Sequence, residues 1–492
     1  MIQAYLAQSM EGVFTPASAA AAAPLLALSA GVLLCLVCDL FDALRGARPA
    51  VFLATLVAAG AFEVAILRAE EPPGAVFQGA LHADGTTALW GLLFLAGTLL
   101  SWLYAVGYYR EDHPFKAEHD TLFLIASAGM MLMVGAGDLL TFFIGLEVLS
   151  IPLYALAAFR RARATSVEAG LKYFVLGAFA AALFLYGAAM LYAATGTIAL
   201  DGIAAAAPRS AMAMLGAAFV AAGLFFKVSV FPFHLWVPDV YQGSPTPVAA
   251  LMATGTKAAA FGFLIQLAGI LPEGAAGTVA AMALVTMLAG NLGALVQDDV
   301  KRMLAYSSVA HAGTLLLLVA AALALRAQGA QAAAAAAGAM RAALVYMAAY
   351  VFTATGAFGV LALIESDGER FTKLASLRGL ARSRPGLAAA LALFMLSLGG
   401  IPATGGFLGK WLVFSVLVEA DMIGVAVAAA LLSVVALAYY LRVVVALWMQ
   451  SPPEGQAPPF TGRISAAIAT TACAAGVLLI GVLPGFYLRW LG

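Results

Sequence analysis

The stretch Phe225-Phe226-Lys227-Val228-Ser229-Val230-Phe231-Pro232-Phe233-His234 decides what kind of molecule this is. Long apolar runs flank it on both sides, so Lys227 stands where a membrane helix would bury it. Pro232 removes a backbone donor and frees a carbonyl at membrane depth. Interrupted backbone is tolerated there only where protein or a water-filled cavity satisfies it. An ordinary proline kink needs no lysine beside it, whereas an ion path does.

Composition agrees with a membrane setting. Hydrophobic residues make up 64% of the 492-residue chain and charged residues 10%, against roughly a quarter charged in soluble domains. Only lipid can cover so much apolar surface. The zero net charge offers no basic footprint for nucleic acid. Cys35, Cys38 and Cys473 lie in apolar stretches without a histidine pattern, so neither a disulfide framework nor an iron–sulfur site is expected. Met1 to Ala20 is only mildly apolar, and the first membrane helix is expected to act as the targeting signal.

Apolar windows of about 20 residues predict an all-α polytopic membrane protein with about 14 transmembrane helices and no soluble module. They fall near 20–40, 49–69, 87–109, 119–137, 139–159, 168–194, 211–240, 247–271, 276–297, 302–325, 341–364, 386–420, 422–449 and 464–489. The alanine run from Gln331 to Ala337 is expected to be a loop or a helix extension. Basic residues then set the sidedness. Arg45, Arg48, Arg110, Lys116, Arg160, Arg161, Arg163, Lys301, Arg302, Arg370, Lys373, Arg378, Arg382, Arg384 and Arg463 all follow odd-numbered spans. Arg68, Arg209, Arg326, Arg341 and Arg489 lie on the other side. The positive-inside rule makes the first group cytoplasmic and both termini outward-facing.

Several charges remain inside the spans. A charge at the centre of a membrane helix costs about 2.5–3.5 kcal/mol on insertion scales, so each is a functional candidate. Lys227 and Lys257 lie too deep to snorkel, and each reads either as a relay member or as half of a structural ion pair. Glu147 sits mid-helix without a basic residue within a turn, and Lys227 is its expected partner from another helix. Lys410 follows a second break, Gly399-Gly400-Ile401-Pro402-Ala403-Thr404-Gly405-Gly406. Lys172 reads either as a relay member or as a snorkelling residue paired with Glu168 along its helix. Arg442 reads as an interfacial anchor, and Glu63 equally as a contact to a neighbouring subunit. His234 and His311 read either as proton carriers or as hydrogen-bonded core histidines. Lysine suits a relay because burial disfavours its ammonium form and a nearby carboxylate restores it. A carboxylate whose charge changes can therefore make a buried lysine hold or release a proton.

Five segments carry a family resemblance: FFIGLEVLSIPLYAL (Phe142–Leu156), EAGLKYFVLGA (Glu168–Ala178), PDVYQGSPTPV (Pro238–Val248), KRMLAYSSVAHAG (Lys301–Gly313) and GGIPATGGFLGKW (Gly399–Trp411). In this order they resemble the antiporter-like subunits of respiratory complex I, and among these the bacterial subunit N family related to mitochondrial subunit 2. Ser244 departs from the alanine common there. The resemblance implies three N-terminal helices over 1–115 and two inverted five-helix repeats over 116–272 and 273–450. A C-terminal helix over 451–492 and two discontinuous helices complete it. It implies Glu147 and Lys227 as the coupling pair, Lys257 as the central relay and Lys410 as the exit-side lysine. It further implies a subunit of NADH:quinone oxidoreductase in the bacterial inner membrane, beside other membrane subunits and bearing no redox centre of its own. NADH, FMN, iron–sulfur clusters and quinone would belong to partner subunits, and no metal is expected on this chain. Subunits of multisubunit cation/proton antiporters and of membrane-bound hydrogenases share the fold and form the alternative. A non-transporting scaffold is disfavoured by three mid-membrane lysines on different helices.

Overall fold

A computed structural model describes residues 15–109, 117–206, 210–329, 331–364, 372–452 and 464–485. Arg110, Lys116, Arg209, Arg370, Arg463 and Arg489, used above for sidedness, lie outside the described residues. Each expected span coincides with a helix or a broken pair of helices. Twelve helices among the described residues are long and apolar enough to cross a membrane. The chain forms two compact units: Met1–Leu99, Lys116–Leu153 and Ala181–Gly223 make one, and Leu100–Phe115, Tyr154–Ala180 and Leu224–Gly492 make the other.

The first unit is built from α1 (Pro16–Leu40), α2 (Arg48–Arg68), α4 (Ala117–Gly135) and parts of α3 (Gly85–Tyr108), α5 (Leu139–Ala157), α6 (Ala164–Thr195) and α7 (Ala211–Val228). Lipid tails are as apolar as leucine, so membrane helices associate by close packing at small residues. Gly129 does this in α4, where a Cβ would meet the backbone nitrogen of Leu149 at 2.4 Å. The chain is nearly all helical, as expected, with one short exception. Between α2 and α3 the chain makes a hairpin of β1 (Gly74–Val76) and β2 (Leu81–Ala83), turned by left-handed Phe77, Gln78 and Gly79. Three-residue strands leave too little alternation in a sequence to be detected. Arg48 opens α2 rather than lying free at the span end: it is buried and meets Asp120 at 2.9 Å.

The second unit continues through α8 (Trp236–Gly243), α9 (Thr246–Leu267), α10 (Ala276–Leu295), α11 (Val300–Ala327), α12 (Ala332–Ile364), α13 (Pro385–Gly399), α14 (Gly405–Glu419), α15 (Ile423–Met449) and α16 (Ile464–Val482). The alanine run before Gly338 proves to be helical, the first turns of α12. The most apolar window of α9 is wholly buried, and those of α11 and α12 are 89% buried, against 28% for α15. The central helices are thus the ones that can carry charge away from lipid.

Both units use one construction at their cores. Asp138 caps α5 by accepting from Thr141 N at 2.7 Å, and the Leu139 amide bonds Ile198 O at 3.1 Å. Asp299 caps α11 by accepting from Arg302 N at 2.8 Å, and the Val300 amide bonds Thr372 O at 2.8 Å. Each cap satisfies a donor that a helix start leaves unpaired. Gly290, Asp299 and Ala310 follow one another at the same intervals as Gly129, Asp138 and Leu149. A Cβ on Gly290 would lie 2.5 Å from the nitrogen of Ala310, close to the 2.4 Å at which one on Gly129 would meet that of Leu149. Gly290→Leu should therefore wedge α10 from α11, an overpacking cost of typically 1–3 kcal/mol or more. The measurement is the amount of folded subunit in membranes and its thermal inactivation midpoint, both of which should fall.

Candidate proton path

Both broken helices end in the same local structure. In the first, α7 stops at Val228, and Ser229 takes a left-handed φ of 69°. The Ser229 amide bonds Phe226 O at 3.1 Å and the Val230 amide bonds Phe225 O at 2.9 Å, the paired bonds of a Schellman cap. The break therefore lies three residues before Pro232, the residue on which the sequence places it. In the second, α13 stops at Gly399, with Gly400 at φ 84° and the amides of Gly400 and Ile401 bonding Ser397 O at 2.9 Å and Leu396 O at 3.1 Å. Leu398 and Gly399 keep free carbonyls at this end, and Lys410 of α14 donates to both at 3.0 and 3.1 Å. An ammonium on the negative pole of a half-helix is favourable placement for a cation.

Lys227, 3% exposed, occupies the last turn of α7. Its Nζ donates to the Tyr173 hydroxyl at 3.1 Å and lies 5.2 Å from the centre of that ring. Trp236 stacks on Tyr173 with centroids 4.6 Å apart, and its indole N–H donates to Phe226 O at 3.1 Å. The lysine thus rests in an aromatic wall that also seals the helix break, with the ring face contributing cation–π attraction.

Lys257 is 1% exposed and follows a π-helical turn, Met252–Thr256, inside α9. Such turns are frequent at functional sites because they leave carbonyls free and redirect side chains. Its ammonium donates to the carbonyl and to the hydroxyl of Ser308 on α11. One turn further along α11 is His311, with Nδ1 2.5 Å from the Tyr346 hydroxyl and Nε2 3.2 Å from the Tyr440 hydroxyl. Two cavities of about 10 Å³ flank the imidazole, each of a size for one water. One is lined by Tyr346, Tyr350, Thr353 and Ser397, the other by Asn291, Lys410, Tyr439 and Tyr440. Lys257, Ser308, His311 and Lys410 therefore lie along a polar row through the most buried part of the unit, with the Tyr346 and Tyr440 hydroxyls on the imidazole and a cavity shared by His311 and Lys410. Removing the hydroxyl that holds the histidine should matter. Tyr346→Phe is expected to slow proton uptake into vesicles about tenfold, the equivalent of one hydrogen bond of about 1.4 kcal/mol.

The other candidates fall elsewhere. Lys172 is 40% exposed at its side chain and bonds Glu168 at 2.7 Å and Asp239 at 2.8 Å. Asp239 also takes Arg302 at 2.8 Å, so Lys172 belongs to a half-exposed ion network and not to the buried row. Asp239→Asn should change proton uptake less than about twofold, since exposed pairs contribute only about 0–1 kcal/mol. His234 lies in the first break, buried and stacked on Phe231 at 5.5 Å. Arg442 donates to Leu295 O at 2.6 Å and Gln297 O at 2.7 Å, which anchors it to the end of α10. Glu147 is half-buried at the middle of α5, in the other unit. Lys301, expected in a cytoplasmic loop, is 1% exposed and donates to Ser244 O at 2.7 Å, closing the end of α8. The backbone makes that bond, so serine in place of alanine at 244 leaves it available. Sequence reasoning missed Tyr173, Ser308, Tyr346 and Tyr440; hydroxyls in apolar helices are too common to stand out before their partners are known. The π turn had a faint signal in Thr254-Gly255-Thr256.

Half-helices that end inside the membrane beside a buried amine, twice in one chain, define an ion-translocating membrane fold. The family model described as NADH:quinone oxidoreductase/Mrp antiporter matches residues 136–436, and the chain belongs to this family. It is 40% identical to the NADH-quinone oxidoreductase subunit N of Myxococcus xanthus over 95% of each chain. It is also 40% identical to that of Salinibacter ruber over 90% of each. A chain of respiratory complex I from Thermus thermophilus superposes with a TM-score of 0.80 at 36% identity, covering 95% of this chain and 99% of that one. A chain of the Mrp complex of a Dietzia species shares the fold, with a TM-score of 0.78 at 22% identity, covering 96% of each chain.

Proposed function

We propose that this chain is a proton-translocating membrane subunit of a bacterial NADH-quinone oxidoreductase. The observation that carries this is the row Lys257–Ser308–His311, continued to Lys410 by a cavity lined by both His311 and Lys410. Its likeness to subunit N relatives along nearly the whole chain supports the choice of enzyme. Likeness to the Mrp complex, at 22% identity, speaks for the fold alone. In this reading NADH, FMN, iron–sulfur clusters and quinone are handled by partner subunits, and this chain uses the energy released there. The recurring glycine–aspartate construction supports two repeats, 116–272 and 273–450. The subunit lies in the inner membrane beside other membrane subunits, with both termini on the periplasmic side.

In this reading Glu147 and Lys227 are the coupling pair, Lys257 with His311 is the central relay, and Lys410 is the exit-side lysine, with the proton source cytoplasmic and the sink periplasmic. The test is proton uptake driven by NADH in inverted membrane vesicles carrying Glu147→Gln or Lys410→Met. Each should lower uptake at least tenfold while flavin-side NADH oxidation by an artificial acceptor is retained. Normal uptake in a fully assembled complex would overturn the assignment.

A further inference from the structure

Glu63 stands apart from the lysine row. It lies on α2, 6% exposed, so it is buried within its own unit and not presented to a neighbouring subunit. Its carboxyl sits over Gly91 of α3, where a Cβ would come 2.4 Å from Oε1. Any side chain at 91 would displace it. Beside the carboxyl is a cavity of about 30 Å³, lined by Pro24 of α1, His82 of β2, Thr87 of α3 and Met131 of α4. That is space for about two waters. No hydrogen-bond or ion-pair partner meets Glu63 among the described residues.

A buried carboxylate without a counter-charge costs several kcal/mol, so such a group takes up a proton or a cation. A hard cation needs six or more oxygens or several waters around it. This lining is mostly alkyl, and no group of three or more metal-ligating side chains occurs among the described residues. The one other titratable group in the lining is His82; α1 and α4 contribute none, and Thr87 is tied to Asp84 by a bond of 2.8 Å from its amide. His82 lines the cavity and is only half-buried, on the hairpin that closes this side of the unit. An imidazole can accept a proton on one nitrogen and release one from the other.

We propose that Glu63 is a second protonation site of this protein, separate from the lysine row, which exchanges its proton through His82 of the hairpin. The experiment is infrared difference spectroscopy of the assembled protein in its membrane between acidic and alkaline buffer, with a further exchange into heavy water. The wild type should show a protonated-carboxyl stretch that Glu63→Gln abolishes and Glu63→Asp moves. His82→Gln should keep the band but slow its deuterium exchange. The Asp variant keeps the test decisive should the Gln variant fail to assemble. Identical difference spectra in wild type, Glu63→Gln and Glu63→Asp would overturn the proposal. So would a band that responds to sodium replacing choline at constant pH, which would mark a cation site. Exchange in His82→Gln as fast as in wild type would remove the histidine from the route.

Discussion

Lys257→Met is expected to reduce NADH-driven proton uptake by at least a hundredfold while leaving the complex assembled. Methionine is close to lysine in length, so α9 keeps its packing against α11 and α12. Replacing a buried charge by an apolar side chain of similar volume is often neutral or stabilising, because the desolvation cost goes with it. What is lost is the amine that meets Ser308 and that, in the proposed relay, would carry the proton. A positioned proton carrier contributes typically 10²–10⁴ in rate, about 3–5 kcal/mol of barrier. The decisive control is NADH oxidation by an artificial acceptor, which reports assembly without requiring the membrane path. Uptake within threefold of wild type in an assembled complex would mean that protons bypass α9.

The second large effect concerns Lys227, where charge and proton transfer can be separated. Lys227→Arg keeps a permanent positive charge over the Tyr173 ring, and guanidinium is a good cation–π partner. Arginine does not lose its proton in proteins. If Lys227 only balances charge, the arginine variant should pump nearly normally. If it carries protons, uptake should fall as far as in Lys227→Ala, and that is the expected result. Tyr173→Phe serves as the graded companion. It keeps the ring and removes the hydroxyl at 3.1 Å, and should slow uptake only about three- to tenfold, as suits one hydrogen bond of about 1 kcal/mol.

Most of this fold is legible in the sequence because the bilayer imposes one simple rule. A spanning segment must be long, apolar and internally hydrogen-bonded, so apolar windows and helices coincide almost everywhere. The breaks were legible too, although for an imperfect reason. Pro232 drew attention to the first, but the chain leaves the helix at Ser229, held by a cap that serine tolerates only because two backbone bonds enclose it. Gly400 announced the second more directly, since a left-handed φ costs glycine nothing. The charged residues at span ends were less legible. Arg48, Lys172 and Lys301 look alike in sequence, yet one is in a buried ion pair, one in a half-exposed network and one on a helix end. Hydropathy records that a charge is near a boundary and nothing about what it meets there.

The row of buried lysines follows from sequence alone, because a charge amid twenty apolar residues is costly whatever surrounds it. Which of those charges share a path does not follow. That Lys257 reaches Ser308, that His311 is held between Tyr346 and Tyr440, and that Lys410 turns to the carbonyl end of α13 depend on helices far apart in sequence. The burial of a charge is written in its neighbours along the chain, whereas its partners are set by packing across the bundle, which only the tertiary structure decides.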